Sequence, residues 1–150
     1  MKKVILFVVI LIGVLLLWYG ESRKFICLNN GTCITVWKTF GNTCYIIPGK
    51  YYGITSPSVD HIRTTNTTLI DLYFSKSLPN TVIYRSTDSA VVKNAHPEVL
   101  VFADYISDMN RYQDLLFEDA GRQKLKEDAD LIFIDIHDSH SVDKHKNRLW

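Results

Sequence analysis

Val4 to Tyr19 reads Val-Ile-Leu-Phe-Val-Val-Ile-Leu-Ile-Gly-Val-Leu-Leu-Leu-Trp-Tyr, with no charge and no strong polar group. Lys2 and Lys3 precede it, and Gly20, Glu21, Arg23 and Lys24 follow. A helix needs about 17–25 apolar residues to cross a bilayer. Residues 4–20 reach the lower end of that range, and Trp18 and Tyr19 stand where amphipathic rings favour the headgroup layer. The lysines at the other end can snorkel to the opposite interface. The reading is therefore an N-terminal membrane anchor over residues 1–20, in contact with lipid through residues 4–20. A cleaved secretory signal is the rival, but it needs small residues at the cleavage positions, and Leu17, Trp18 and Tyr19 stand there instead. Lys2, Lys3 and the terminal amine slightly outweigh Arg23 and Lys24, which favours an inside amino terminus. The expected location is a single-pass membrane protein with its C-terminal domain outside the cytoplasm.

The rest of the 150-residue chain is long enough for one domain with its own core. Lys2 and Lys3 take two of the 17 basic residues, so 15 remain against 16 acids and residues 21–150 carry a formal charge of −1. That balance gives no electrostatic footprint for nucleic acid. There is no internal repeat, low-complexity run or Gly-Ser linker. The divisions expected are a juxtamembrane connector over 21–32, a folded domain over 33–136 and a polar tail over 137–150.

Outward from the anchor, Cys27 to Cys33 reads Cys-Leu-Asn-Asn-Gly-Thr-Cys. Asn and Gly tolerate positive φ, so Asn29-Asn30-Gly31 is turn chemistry. A three-residue loop there sets Leu28 opposite Thr32 and Cys27 opposite Cys33, which favours a Cys27–Cys33 disulfide. Other pairings of the three cysteines, or none, remain open at this level. If Gly41-Asn42 turns the next hairpin, Cys44 faces Thr39, out of reach of Cys33, and stays a buried inert thiol. A bridge belongs to an oxidising compartment, the same side the anchor's charges suggest.

Ile34–Trp37 and Thr43–Ile47, rich in β-branched and aromatic residues, read as paired strands around Phe40-Gly41-Asn42. Residues 54–68 are polar and weakly patterned, and read as a long loop. Thr67–Phe74 alternates, with Thr68, Ile70, Leu72 and Phe74 on one face, and predicts a half-buried strand. It turns through Ser75–Asn80 into a second hairpin arm, Thr81–Arg85. Ala90–Lys93 and Val99–Phe102 read as short strands. Ile106, Met109, Tyr112, Leu116 and Ala120 recur at helical spacing, which predicts a C-terminal amphipathic helix capped by Ser107 and continuing through Arg122–Lys126. Asp130–Ile136 is apolar on both faces, so a final, central strand is expected. The fold class is α+β: a transmembrane helix, then a small β-rich domain of antiparallel hairpins with that one helix. Asn30-Gly31-Thr32 and Asn66-Thr67-Thr68 match the glycan acceptor pattern.

One cluster has ligand chemistry. Asp135, His137, Asp138 and His140 follow the last apolar strand, with Asp143 and His145 beyond. Carboxylates and imidazoles suit Zn, Mn or Fe. Asp135-Ile136-His137 after a strand is similar to the opening motif of metallophosphoesterases. Only fifteen residues follow Asp135, too few for that family's further Asp, Asn and His motifs. Nothing in the spacing joins Cys44 to His61 or His96 as a nucleophile and base, and there is no Gly-x-Ser-x-Gly elbow or phosphate-cradling Gly loop. No catalytic set and no cofactor are expected. The best reading is a module that binds or shields another protein at the membrane surface, through residues that the sequence does not identify. The alternative is a metal-dependent hydrolase built on the Asp135–His145 cluster.

Overall fold

The computed structural model describes residues 2–28, 31–65, 67–97, 100–118 and 124–149. Its first element is the apolar helix α1 (Lys2–Ser22), whose 21 residues give a length of about 31 Å at 1.5 Å per residue. That length matches a hydrocarbon core of about 30 Å. By length and composition, α1 is able to cross a membrane.

The domain that follows is two sheets packed face to face. One holds β1 (Arg23–Cys27), β2 (Cys33–Lys38), β3 (Thr43–Pro48), β4 (His61–Thr65) and β7 (Val91–Lys93), in the order β1-β2-β3-β4-β7 and antiparallel throughout. The other holds β5 (Leu69–Ser75), β6 (Thr81–Ser86), β8 (Val101–Asp104), β9 (Ala129–Asp135) and β10 (His140–Asp143), in the order β10-β9-β5-β6-β8. The inward positions of both sheets alternate with period two, as strands with one buried face must. Ile34, Val36, Ile46 and Ile62 of the first sheet meet Ile70, Leu72, Phe74, Ile132 and Ile134 of the second in one core. The short helix α2 (Met109–Leu116) covers the outer face of the second sheet, burying Tyr112 and Leu116 beside Tyr73, Ile83 and Ala129.

Several expectations hold. The 67–74 strand pairs with the 81–85 arm, Leu72 opposite Tyr84. Cys27 faces Cys33, Leu28 N donates to Thr32 O at 2.8 Å, and the two cysteines are bridged. Gly31 has φ +85°, the left-handed conformation the turn requires.

Others need correction. The amphipathic helix is a mid-chain element, followed by β9 and β10. It ends at Leu116, because Phe117 turns extended and lays its ring against Tyr73 and Tyr105. Ser107 does not cap it: its hydroxyl donates to Asp104 and the N-cap is Asp108. Ala120 and Arg122, placed in that helix from the sequence, lie outside the described residues, as do Asn29, Asn30, Asn66 and Val99. The pairing is not purely antiparallel, since β8 runs parallel to β6. Cys44 faces Lys38 rather than Thr39, because Thr39 pairs with Thr43 around a three-residue loop.

The strand over 129–135 is interior, between β10 and β5, but it is not the last. Stretches expected as connector, loop and tail carry strands of their own: β1, β4 and β10. The segment after β10 folds back as well. Leu149 N donates to Ser141 O at 2.9 Å, and Leu149 packs on the shared core.

Candidate functional site

The sandwich has two ends and two outer faces. α1 runs into β1 without a linker, Ser22 to Arg23, so the end of α1 lies beside the β2–β3 hairpin. The Cys27–Cys33 bridge closes the opposite end of the same strands.

The joint between helix and domain centres on Arg23. Its guanidinium, on a residue only 4% exposed, lies 4.3 Å from the Tyr19 ring centroid and 4.4 Å from that of Trp37. It also donates to the carbonyl of Gly53. Nε and Nη1 are buried without a hydrogen-bond partner. A cation held between two ring faces, in a site closed to water, is where such contacts are strongest. Tyr19 Oη donates to Tyr52 O at 2.9 Å, and Trp18 stacks on Phe40 at 4.1 Å and 4°.

The same end of the sandwich carries the metal-like cluster. β2 ends at Lys38, whose ammonium donates to Ser139 Oγ in the β9–β10 turn. Asp135, Asp138 and His140 each offer a ligand atom within 4.8 Å of the others. His137 is not in that group; it points outward, its Nε2 3.8 Å from Asp138 Oδ1. The turn itself accounts for much of this gathering. Asp135 Oδ1 accepts the Asp138 N–H at 3.0 Å, while Ser139 takes φ +55° to bring the chain back. His140 Nδ1 stands 4.0 Å from Asp135 Oδ2. Zinc ligands near 2.0 Å from the ion stand about 3.3 Å from one another in a tetrahedron, so the set has to contract to hold one. Burial lowers the Lys38 pKa, and the charges of Cys44 and Asp135 oppose that shift.

A groove of about 880 Å³, with no counterpart among the sites expected from the sequence, lies on the outer face of the second sheet. Ligand pockets run to about 300–1,000 Å³. Tyr73, Tyr105 and Phe117 form its floor, with ring centroids 5.6 to 6.4 Å apart. Ile106 and Met109, both exposed, stand at its edge with Arg85, Lys126 and Lys144. Burial, with the charge of Asp71 adding, pushes the Tyr73 phenol up to about 12 against the opposing pull of Arg85. Burial likewise raises the Asp71 carboxyl, opposed by Arg85 across the strands. Tyr73 alternates out of the core on the same strand face as Asp71, two residues earlier, an outward aromatic that was the one legible hint of this floor.

Cys44 lies in the shared core, 0% exposed, and burial pushes its thiol up to about 12. It is a packing residue there, without the lowered pKa a nucleophile needs. His61 fills a structural place: its Nδ1 lies 2.8 Å from Val59 O and its ring packs edge-on to Tyr45.

No family model, curated protein or solved structure matches this chain.

Proposed function

We propose that the chain is a single-pass membrane protein whose disulfide-bonded sandwich stands outside the cytoplasm and binds, or shields, another protein at the membrane surface. One observation carries the reading. The apolar side chains of α1 from Val4 to Leu17 are exposed, and no described part of the domain covers them. A continuous apolar helix of this length needs lipid around it. The Cys27–Cys33 bridge supports an oxidising location. The flank groove supports a binding role, because aromatic and Met side chains are the residues protein interfaces favour at their centres.

Alkaline carbonate extraction should leave the full-length chain in the membrane pellet, and release of a soluble product starting near Glu21 would sink the anchor. A photo-crosslinking side chain at Met109, on the groove edge, should give one discrete protein adduct in native membranes. The same group at exposed Arg63, on the other sheet, should give none. A membrane-embedded chain that cross-links at neither position argues against the binding role.

The second reading is a metal-dependent hydrolase, favoured by the meeting of Asp135, Asp138 and His140. A metal selective for the native state would raise the melting temperature by mass action. Zn or Mn should then stabilise the protein, and Asp135→Asn or His140→Gln should abolish the gain while His137→Gln keeps it. No metal-dependent rise removes this reading.

A further inference from the structure

We propose that the end of the sandwich nearest α1 is a lipid-docking surface, seated in the headgroup layer of the leaflet from which the helix emerges. This rests on the anchor reading and adds to it a second attachment, made by the folded domain. If α1 spans the bilayer, Trp18 and Tyr19 mark its interfacial end, where aromatic rings settle among the headgroups. Phe40 is stacked on Trp18, ring centroids 4.1 Å apart and nearly coplanar. Phe40 therefore lies at the depth of Trp18, although it belongs to the β2–β3 loop of the domain.

A second, separate loop is fixed at the same level. Tyr52 accepts the Tyr19 hydroxyl at 2.9 Å, and Gly53 accepts from Arg23, the first residue beyond the helix. Ile54 follows directly. The side chains near the helix end are apolar or aromatic and largely exposed: Phe40 is 78% exposed and Ile54 80%, with Tyr52 and Phe25 also exposed. In water these side chains are hard to explain together. At the end of a membrane helix, they meet the layer that favours them. The occupant is lipid, because Phe40 stacks on Trp18 and the backbone leading into Ile54 is held by Tyr19, both residues of the last turns of the helix.

Spin-label accessibility in the full-length protein, reconstituted in phosphatidylcholine vesicles, tests this. Cys27 and Cys33 are bridged and Cys44 is buried, so an introduced cysteine is the one that labels. Asn42→Cys places a label beside Phe40 without removing it, and Ile54→Cys probes the second loop. Val9→Cys is the hydrocarbon reference, and Lys76→Cys, in the turn after β5 at the far end, is the aqueous one. Labels at positions 42 and 54 should both read between the references in relative accessibility to oxygen and to a water-soluble nickel complex. With Val9 in hydrocarbon, an aqueous reading at either position overturns the docking and leaves the anchor standing. An aqueous reading at Val9 overturns the anchor and the docking together. The vesicles contain lipid alone, so no protein partner can supply the signal.

Discussion

Arg23 should couple α1 to the domain energetically. Replacing it with Ala removes two ring contacts and the bond to the Gly53 carbonyl. Cation–π contacts are worth about 0.5–1 kcal/mol at exposed sites and about 2 kcal/mol when desolvated. At 4% exposure, Arg23 belongs near the upper figure. A hydrogen bond from a charged donor adds about 1.5–3 kcal/mol. Against these stands the several kcal/mol that burying a guanidinium costs. Those costs vanish with the side chain, so the loss in Arg23→Ala is smaller than the sum of contacts and is a poor measure of any one of them.

The pairwise energies are better read from double-mutant cycles. Arg23→Ala combined with Trp37→Leu, and separately with Tyr19→Leu, should give coupling energies of about 1–2 kcal/mol each. Arg23→Lys should lose most of that coupling, because a compact ammonium cannot lie flat between two rings as a planar guanidinium does. Denaturant unfolding of the full-length protein in micelles, followed by Trp fluorescence, measures all of these. Additive single and double mutants in both cycles would refute the clasp.

Three further outcomes are expected. Replacing Cys27 and Cys33 together by Ala should cost about 2 kcal/mol, the chain-entropy value for the short loop the bridge closes, read from denaturant midpoints; an unchanged midpoint counts against the bridge. Cys44 has an ordinary value of 9.0 and is pushed up to about 12 in the fold, so only the unfolded chain ionises between those pH values. That contribution to stability is intact below about pH 9 and is lost as pH rises toward 12, at up to about 1.4 kcal/mol per pH unit. Cys44→Ala should flatten the alkaline decline, and native Cys44 should resist thiol reagents at pH 8. Truncation after Ile136 should destabilise by about 2–3 kcal/mol, since it strips β10 from β9 and removes Leu149 from the core; a thermal melt that does not move would mean that these contacts contribute nothing.

The parts of the fold that were legible have strong local signals. The run from Val4 to Tyr19 has no alternative to an apolar helix, and Ile70, Leu72 and Phe74 alternate cleanly. Cys27 and Cys33 could be set in register because turn residues lie between them. The three missed strands lack such signals. His61–Thr65 is polar but for Ile62, and the pairing of β4 with β3 and β7 decides its conformation, not its composition. His140–Asp143 likewise reads as tail until β9 supplies its partner. Tertiary pairing overrides weak propensity in such short strands.

The same division holds for the site. Asp135, Asp138 and His140 are near in sequence, so their meeting could be foreseen; His137, on the wrong side of the turn, could not be separated from them. The groove draws Tyr73, Tyr105 and Phe117 from one strand and the two segments flanking α2, a convergence that no local pattern contains. The helix end at Leu116 was hidden for the same reason, since it depends on where the Phe117 ring packs.

The direct passage from Ser22 to Arg23 also limits how far this protein can reach. A flexible tether would let the domain sweep a hemisphere and meet partners at many heights. Here the sandwich begins where the helix ends, and its longest strands, seven residues each, measure about 23 Å. With α1 in a bilayer, whatever the sandwich touches would have to come within roughly that height of it. The groove lies on a face of the sandwich rather than at its tip, so with α1 upright in a bilayer it would open sideways. If the proposed anchor holds, a domain joined to its helix in this way would meet neighbours embedded in the same membrane and would stand too low to grasp anything presented from an opposing surface.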